Sequence, residues 1–339
     1  MRGKELVKKI ITGEETEELP VGVHGVWPAA EQSRYTIGEC CRDGSKMAEA
    51  QIDFQNQHPM DAVHLEIGVG PLVEAMGAEV SWPNDRPPIV RKNPIESLRE
   101  IDSLELPNPY RDGKLPELLK ATETVNRELG DDVFLIAEAD QGPFNLAAQI
   151  IGIENLLLKI SRGQDIELIE DLLSLTTEAV VRLAKAQIDS GGDATCVGES
   201  YVSPDMISPD TYRKFVAPTH KKLATRFEQE GIIWALHICG DITDILADLD
   251  VVNPSIIEVD YKTDLAVIAE EIGEATVLGT VDPRTFIGRG EKTMEEEVRE
   301  NVKSLQQGGR YILHSGCTLP SDTPGEMVDR FSRLAEVIS

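Results

Sequence analysis

The chain is short of positive charge. Its 33 lysines and arginines stand against 60 aspartates and glutamates in 339 residues, a formal net charge of −27. A general nucleic-acid or anionic-membrane surface needs clustered cations, so neither partner is expected. Cysteine is scarce too: there are five, an odd number without tight spacing, which does not make a disulfide framework. Free thiols suit a reducing cytoplasm, where they stay available to a metal. No uncharged apolar run approaches the roughly 18 residues of a membrane span. The opening Met1-Arg2-Gly3-Lys4-Glu5-Leu6 lacks the long apolar core of a signal peptide. The expectation is a cytoplasmic protein. Cys40 and Cys41, adjacent in a polar stretch, read as exposed thiols open to oxidation.

What the chain does contain is an imidazole and a thiol two residues apart. Leu236-His237-Ile238-Cys239-Gly240-Asp241 follows the apolar run Ile232-Ile233-Trp234-Ala235. Side chains two apart on a strand share a face, so His237 and Cys239 can reach one metal from a strand end. Cys317, in His314-Ser315-Gly316-Cys317, closes another apolar run and offers a third soft ligand. Three protein ligands with an open fourth position is the pattern of a catalytic zinc. Both residue types are also common as inert core residues, and His314 competes with His237 because it precedes Cys317 by three.

Taken in order, the sequence alternates. A short helix over 4–12 precedes a first strand over 21–27, which His24 and Trp27 help to end. A helix over 43–55 leads to a strand over 62–67. Residues 69–112 carry many prolines and read as an insertion with short strands, such as Ala78–Trp82. A helix near 115–129 precedes the strand 133–139. Asp165 is placed to cap a long helix reaching Ser190, whose apolar positions recur at helical spacing. Strand 194–198 ends at Glu199, and Ser208-Pro209 opens another helix. From 232 onward strands and helices alternate regularly. Thr293-x-x-Glu296 and Thr323-x-x-Glu326 read as capping boxes for the last two helices.

About eight strands separated by helices imply parallel pairing with right-handed crossovers. Eight such units close into a (β/α)8 TIM barrel; a doubly wound open sheet is the alternative. The barrel is favoured because Asp140, Glu199, His237, Cys239, Asp260, Asp282 and Cys317 all fall just after strand ends. In a barrel those positions share one mouth. We therefore expect one domain over 1–339, an α/β barrel with an N-terminal extension and an insertion at 69–112.

Several stretches resemble the uroporphyrinogen decarboxylase superfamily. They are Leu236-His-Ile-Cys-Gly-Asp241, Gly279-Thr-Val-Asp-Pro283 and Ser315-Gly-Cys-Thr-Leu-Pro-Ser-Asp-Thr-Pro324, with Glu74-Ala-Met-Gly-Ala-Glu79 and Met206-Ile-Ser-Pro-Asp-Thr-Tyr212 in support. The likeness covers most of the chain and is densest from about 194 onward. His-x-Cys with a distant Cys resembles the methylcobamide:coenzyme M methyltransferase branch in particular. That resemblance implies one Zn2+ on His237, Cys239 and Cys317. It implies a thiol acceptor such as coenzyme M, and a methylated corrinoid carried by a small partner protein; homocysteine or a folate is the alternative acceptor. The acceptor's proton must leave, and Asp260, Glu199 and Asp140 are the candidate carboxylates, with Asp260 also placed to fill the open metal position. Solvated or cap-forming carboxylates are the ordinary alternative. His24, Trp27, Asp282 and Arg284 are candidate cofactor contacts, and Arg284 with Lys262 is placed to meet an anionic tail such as a sulfonate. The tetrapyrrole-decarboxylase reading is weaker. The Arg-rich motif of that branch is reduced here to Arg34-Tyr35. No Asp-x-His-x-x-Gly corrinoid motif is present, so the corrinoid is expected on a partner.

Overall fold

The computed structural model describes residues 3–338, with residues 1, 2 and 339 outside the description. Ten strands follow in chain order: β1 (Val21–Val23), β2 (Ala62–Leu65), β3 (Glu79–Ser81), β4 (Ile89–Lys92), β5 (Phe134–Gln141), β6 (Ala194–Gly198), β7 (Trp234–Ile238), β8 (Ile256–Val259), β9 (Thr276–Val281) and β10 (Tyr311–Ser315). Eight of them close a parallel barrel in the order β1-β10-β9-β8-β7-β6-β5-β2, while β3 and β4 pair apart from it, antiparallel. Closure decides between the two architectures read from the sequence, because β7 and β10 now face one mouth.

The barrel interior has two chemical levels, and the period-two alternation of strands makes them. Ala62, Phe134, Ile136, Ala194, Cys196, Ala235, Ile256, Leu278 and Ile312 pack together with Val7 and Ile10. Those two residues come from the first helix, Gly3–Thr12, so the N-terminal extension plugs the floor of the barrel. Two residues further along their strands stand His64, Glu138, His237, Glu258 and His314. The strands therefore turn from apolar to ionisable within one alternation as they approach the mouth.

Gly279 shows how tightly the strands are set. It has φ +137°, and a Cβ there would lie 2.4 Å from the Val259 carbonyl oxygen on the neighbouring strand, so only glycine fits.

Several local readings need correction. Trp27 does not end a strand. The chain turns at Gly25 into the helix Val26–Gln32, and Trp27 packs its half-buried ring against the core. Cys40 and Cys41 are buried in the core on the helix Ile37–Arg42. Burial pushes the Cys40 thiol up to about 11 and Cys41 higher still, so they are poor nucleophiles rather than oxidation liabilities. The long helix Ile166–Asp189 forms, but Asp165 sits at φ +54° and makes no side-chain cap; its carboxylate pairs with Lys159 at 2.5 Å instead. Thr293 and Glu296 do form a capping box. The Thr323 hydroxyl does not form one: it is buried without a hydrogen-bond partner. Ser208 caps as expected, accepting from the Thr211 N–H. No described helix is long and apolar enough to cross a membrane.

Candidate metal centre at the barrel mouth

β7 carries His237 at its penultimate position, and Cys239 follows one residue past the strand. Gly240 then turns the chain at φ +91°, a left-handed value that favours glycine. Its N–H donates to the Asp260 carboxylate at 2.8 Å. From the other side, hydrogen bonds hold the end of β10 and the loop after it. Gly316 N–H donates to the Val281 carbonyl, His24 N–H to the Ser315 hydroxyl, and Leu319 N–H to the His24 carbonyl. Gly316 lies against the Tyr261 backbone, where a Cβ would come within 2.7 Å. These anchors bring Cys317 back to β7.

The result is a cluster of His237, Cys239 and Cys317 whose ligand atoms lie within 4.8 Å of one another. His237 Nε2 is 3.2 Å from Cys239 Sγ and 3.6 Å from Cys317 Sγ. His237 Nδ1 lies 3.2 Å from the Glu258 carbonyl oxygen. In the neutral ring that a metal would bind, donating there fixes the tautomer and leaves the Nε2 lone pair facing both thiols. Tetrahedral zinc, with Zn–N about 2.0 Å and Zn–S about 2.3 Å, needs N···S edges of about 3.6 Å. The donor set and its spacing fit such an ion. Burial lowers the His237 pKa, but the nearby Glu258 carboxylate and the Cys317 thiol outweigh it and raise the imidazole to about 10. His314 stands apart from the cluster. It is fully buried, with Nδ1 donating to the Ser315 carbonyl, and burial holds it down to about 3.

The three carboxylates singled out from the sequence are all occupied by backbone amides. Asp260 accepts from Gly240 and from the Lys262 N–H at 3.1 Å. Glu199 accepts from Phe144 at 3.0 Å and Asn145 at 2.8 Å, the first turn of the helix Pro143–Ile151, and lies 3.3 Å from His220 Nε2. Asp140 accepts from Gly70 and Leu72 at 3.0 and 2.6 Å. None joins the three-residue cluster. Asp282 caps the turn Pro283–Ile287 and forks onto the Arg284 guanidinium, which also lies over the Tyr261 ring. Arg284 is therefore already neutralised, and Lys262 is exposed.

Sequence reasoning passed over His64, Glu138 and Glu258, which lie fully or almost fully buried beside the cluster. The available signal was an ionisable residue two places beyond an apolar one inside a strand, as in Ile136-Ala137-Glu138 and Ile256-Ile257-Glu258. His24 lies in the barrel interior: its Nε2 is 3.2 Å from Glu66 and its ring stacks on His64.

A closed parallel barrel with an imidazole and two thiols gathered at its mouth defines the class: a (β/α)8 scaffold bearing a candidate metal centre at the end where such barrels place their chemistry. Residues 2–337 match the uroporphyrinogen decarboxylase (URO-D) family model, and the chain belongs to that family. It is 27% identical to the methylcobamide:CoM methyltransferase MtaA of Methanosarcina barkeri, over 92% of this chain and 87% of that one. It is 26% identical to a uroporphyrinogen decarboxylase of Carboxydothermus hydrogenoformans, over 91% and 86% of the respective chains. A solved methyltransferase structure from Methanosarcina mazei superposes with a TM-score of 0.87 at 23% identity, covering 99% of each chain; at that identity the match establishes the fold.

Proposed function

We propose that the protein is a cytoplasmic, zinc-dependent methyltransferase that moves a methyl group from a methylated corrinoid, carried by a separate small protein, to a thiol such as coenzyme M. The observation that carries this reading is the His237–Cys239–Cys317 cluster, whose donor types and spacing suit zinc with one position left for substrate. Four relatives named methylcobamide:CoM methyltransferases support methyl transfer, beside a relative named uroporphyrinogen decarboxylase at 26% identity. The cluster supports the same reading, because two thiols converging on an imidazole suit a zinc that can hold a thiol substrate.

Zinc held there would bind the acceptor thiol as its thiolate, the nucleophilic form, at a pH where a free thiol of pKa about 8.5 is mostly protonated. The residues of the chain do the rest. Glu258, through its backbone carbonyl, orients His237. Asp260 clamps the Cys239–Gly240 turn and acts as a positioning residue rather than a proton acceptor, since both its oxygens are engaged. His24 is tied to the Cys317 loop through Ser315 and Thr318 and is paired with Glu66, which places a polar wall beside the thiols.

The test is demethylation of methylcobalamin by the zinc-loaded protein with 2-mercaptoethanesulfonate, followed by absorbance. Thiol-dependent loss of the methyl–cobalt spectrum, abolished by chelator and by Cys317→Ser, is expected. Uroporphyrinogen decarboxylation that is indifferent to chelator and survives Cys239→Ser would replace this reading.

A further inference from the structure

Below the thiol cluster, the barrel interior gathers four more ligand-type side chains: His24 past β1, His64 on β2, Glu138 on β5 and Glu258 on β8. One ligand atom from each lies within 4.8 Å of all the others. We propose that these four residues form a second, separate divalent-cation site for a first-row transition metal, in the core of the barrel.

Buried charge favours a cation here. Glu258 and His64 are 0% exposed, Glu138 6% and His24 7%. Two carboxylates so deep in a barrel need compensation, because an unpaired buried charge costs several kcal/mol or more. Lysine and arginine are absent from the described contacts of this group, whose carboxylates have imidazoles as their described ion partners, His237 and His314 included. A dication balances two carboxylates and lets both imidazoles remain neutral, as ligation requires. Neutral rings also suit the stacking of His24 on His64, with centroids 4.5 Å apart and planes 27° apart. Two imidazolium ions in that arrangement would repel.

Unsatisfied lone pairs favour it as well. His64 Nε2 and Glu258 Oε1 are buried with no hydrogen-bond partner. Each such atom costs about 1–3 kcal/mol if left unmet. The remaining atoms are oriented as ligand supports usually are. Glu66 lies 3.2 Å from His24 Nε2, while Nδ1 lies 3.8 Å from Glu258 and 3.4 Å from the Thr318 hydroxyl, a bond that ligation would replace. His64 Nδ1 lies 3.1 Å from Glu138. Cys196 donates its S–H to the other oxygen of Glu258 at 3.5 Å.

The donor set separates this site from the one above it. Imidazole with carboxylate suits iron, manganese, cobalt or zinc, whereas imidazole with two thiolates selects zinc and other soft ions. Glu258 Oε2 is 3.8 Å from His237 Nδ1, so the carboxylate that closes the lower site also faces the back of the upper ligand. A cation in the lower site would draw Glu258 charge away from His237 and weaken it as a donor to the upper metal.

Cobalt(II) titration of the full chain tests this, with visible absorption and bound-metal content read together. The inference predicts about two equivalents per chain: one with a sulfur-to-cobalt charge-transfer band, the other with weak ligand-field bands alone. Cys239→Ser with Cys317→Ser should remove the charge-transfer band and keep one equivalent. His64→Gln and Glu138→Gln should each keep the band and lose the other equivalent. A single equivalent in the wild type, all of it thiolate-bound, would mean that the cluster is a metal-free imidazolium–carboxylate network and would overturn the proposal. So would a second equivalent that persists in both His64→Gln and Glu138→Gln. If those variants do not fold, the wild type and the double cysteine variant still decide it.

Discussion

Replacing Asp260 with alanine should loosen metal at the thiol cluster without touching a ligand. The Asp260 carboxylate accepts from Gly240 at 2.8 Å and from Lys262 at 3.1 Å, and it is 5% exposed. A hydrogen bond to a charged acceptor contributes about 1.5–3 kcal/mol. Alanine leaves the buried Gly240 N–H without that acceptor, and Gly240 is the residue that turns the chain immediately after Cys239. If about 2 kcal/mol of the lost bonding appears as disorder of that turn, metal binding weakens roughly 30-fold, within the usual range for loss of an outer-shell support. The assay is competition between the protein and a chelator for cobalt(II). The sulfur-to-cobalt band follows the thiol cluster alone, so a change elsewhere does not confuse the reading. Cys317→Ser, which deletes a ligand, should be weaker still. The reasoning is refuted if Asp260→Ala melts earlier but holds cobalt within about threefold of wild type. Asp260 would then support the fold and not the ligand.

Two further perturbations test other parts of the account. Burial pushes the Asp140 carboxyl up to about 7, against the pull of two backbone N–H groups. The fold thus prefers the neutral form, and the contribution is complete below about pH 4 and lost as pH rises through about 7, worth about 4 kcal/mol. Asp140→Asn, which tolerates the left-handed backbone there, should flatten the pH dependence of denaturant unfolding over that window; parallel curves for the two proteins would contradict this. At the floor of the barrel, Ile10→Ala opens a cavity where the N-terminal helix plugs the interior. It should cost about 2–5 kcal/mol in the same experiment and leave metal content unchanged, and a cost under about 1 kcal/mol would show that the helix does not seal the floor.

Much of the architecture was legible because its signals are local and repeated. The regular alternation after residue 232 gives β7 to β10 nearly residue by residue. The same-face spacing of His237 and Cys239 is a property of any strand end, and closure of the barrel brings Cys317 to them. What was not legible depended on tertiary context. Only His24, Gly25 and Val26 separate Trp27 from Val21-Gly22-Val23, and Pro28, which suits a first helical turn, is the local sign of the helix that begins after Gly25. Cys40 and Cys41 look exposed among polar neighbours, yet one face of their helix is apolar and turns them inward. Asp165 and Thr323 have the right residue types for caps, but Asp165 is drawn to Lys159 and Thr323 is turned into the interior. Glu199 and Asp260 follow strand ends and Asp140 stands near the end of β5, places that suit proton transfer, but backbone amides of neighbouring loops, invisible in one dimension, occupy all three. Glu138 and Glu258 sit inside apolar strands, and only the barrel makes them neighbours.

The central claim is that the cluster at the mouth turns a thiol into a thiolate, and proton release measures it most directly. Thiols including 2-mercaptoethanesulfonate and homocysteine would be added to the metal-loaded protein near pH 7 in weak buffer. For the acceptor that binds, the account predicts release of about one proton per chain from the metal-loaded wild type and none from Cys239→Ser or the metal-free protein. Saturable binding of that thiol with no proton released, or equal release from the metal-free protein, would contradict it.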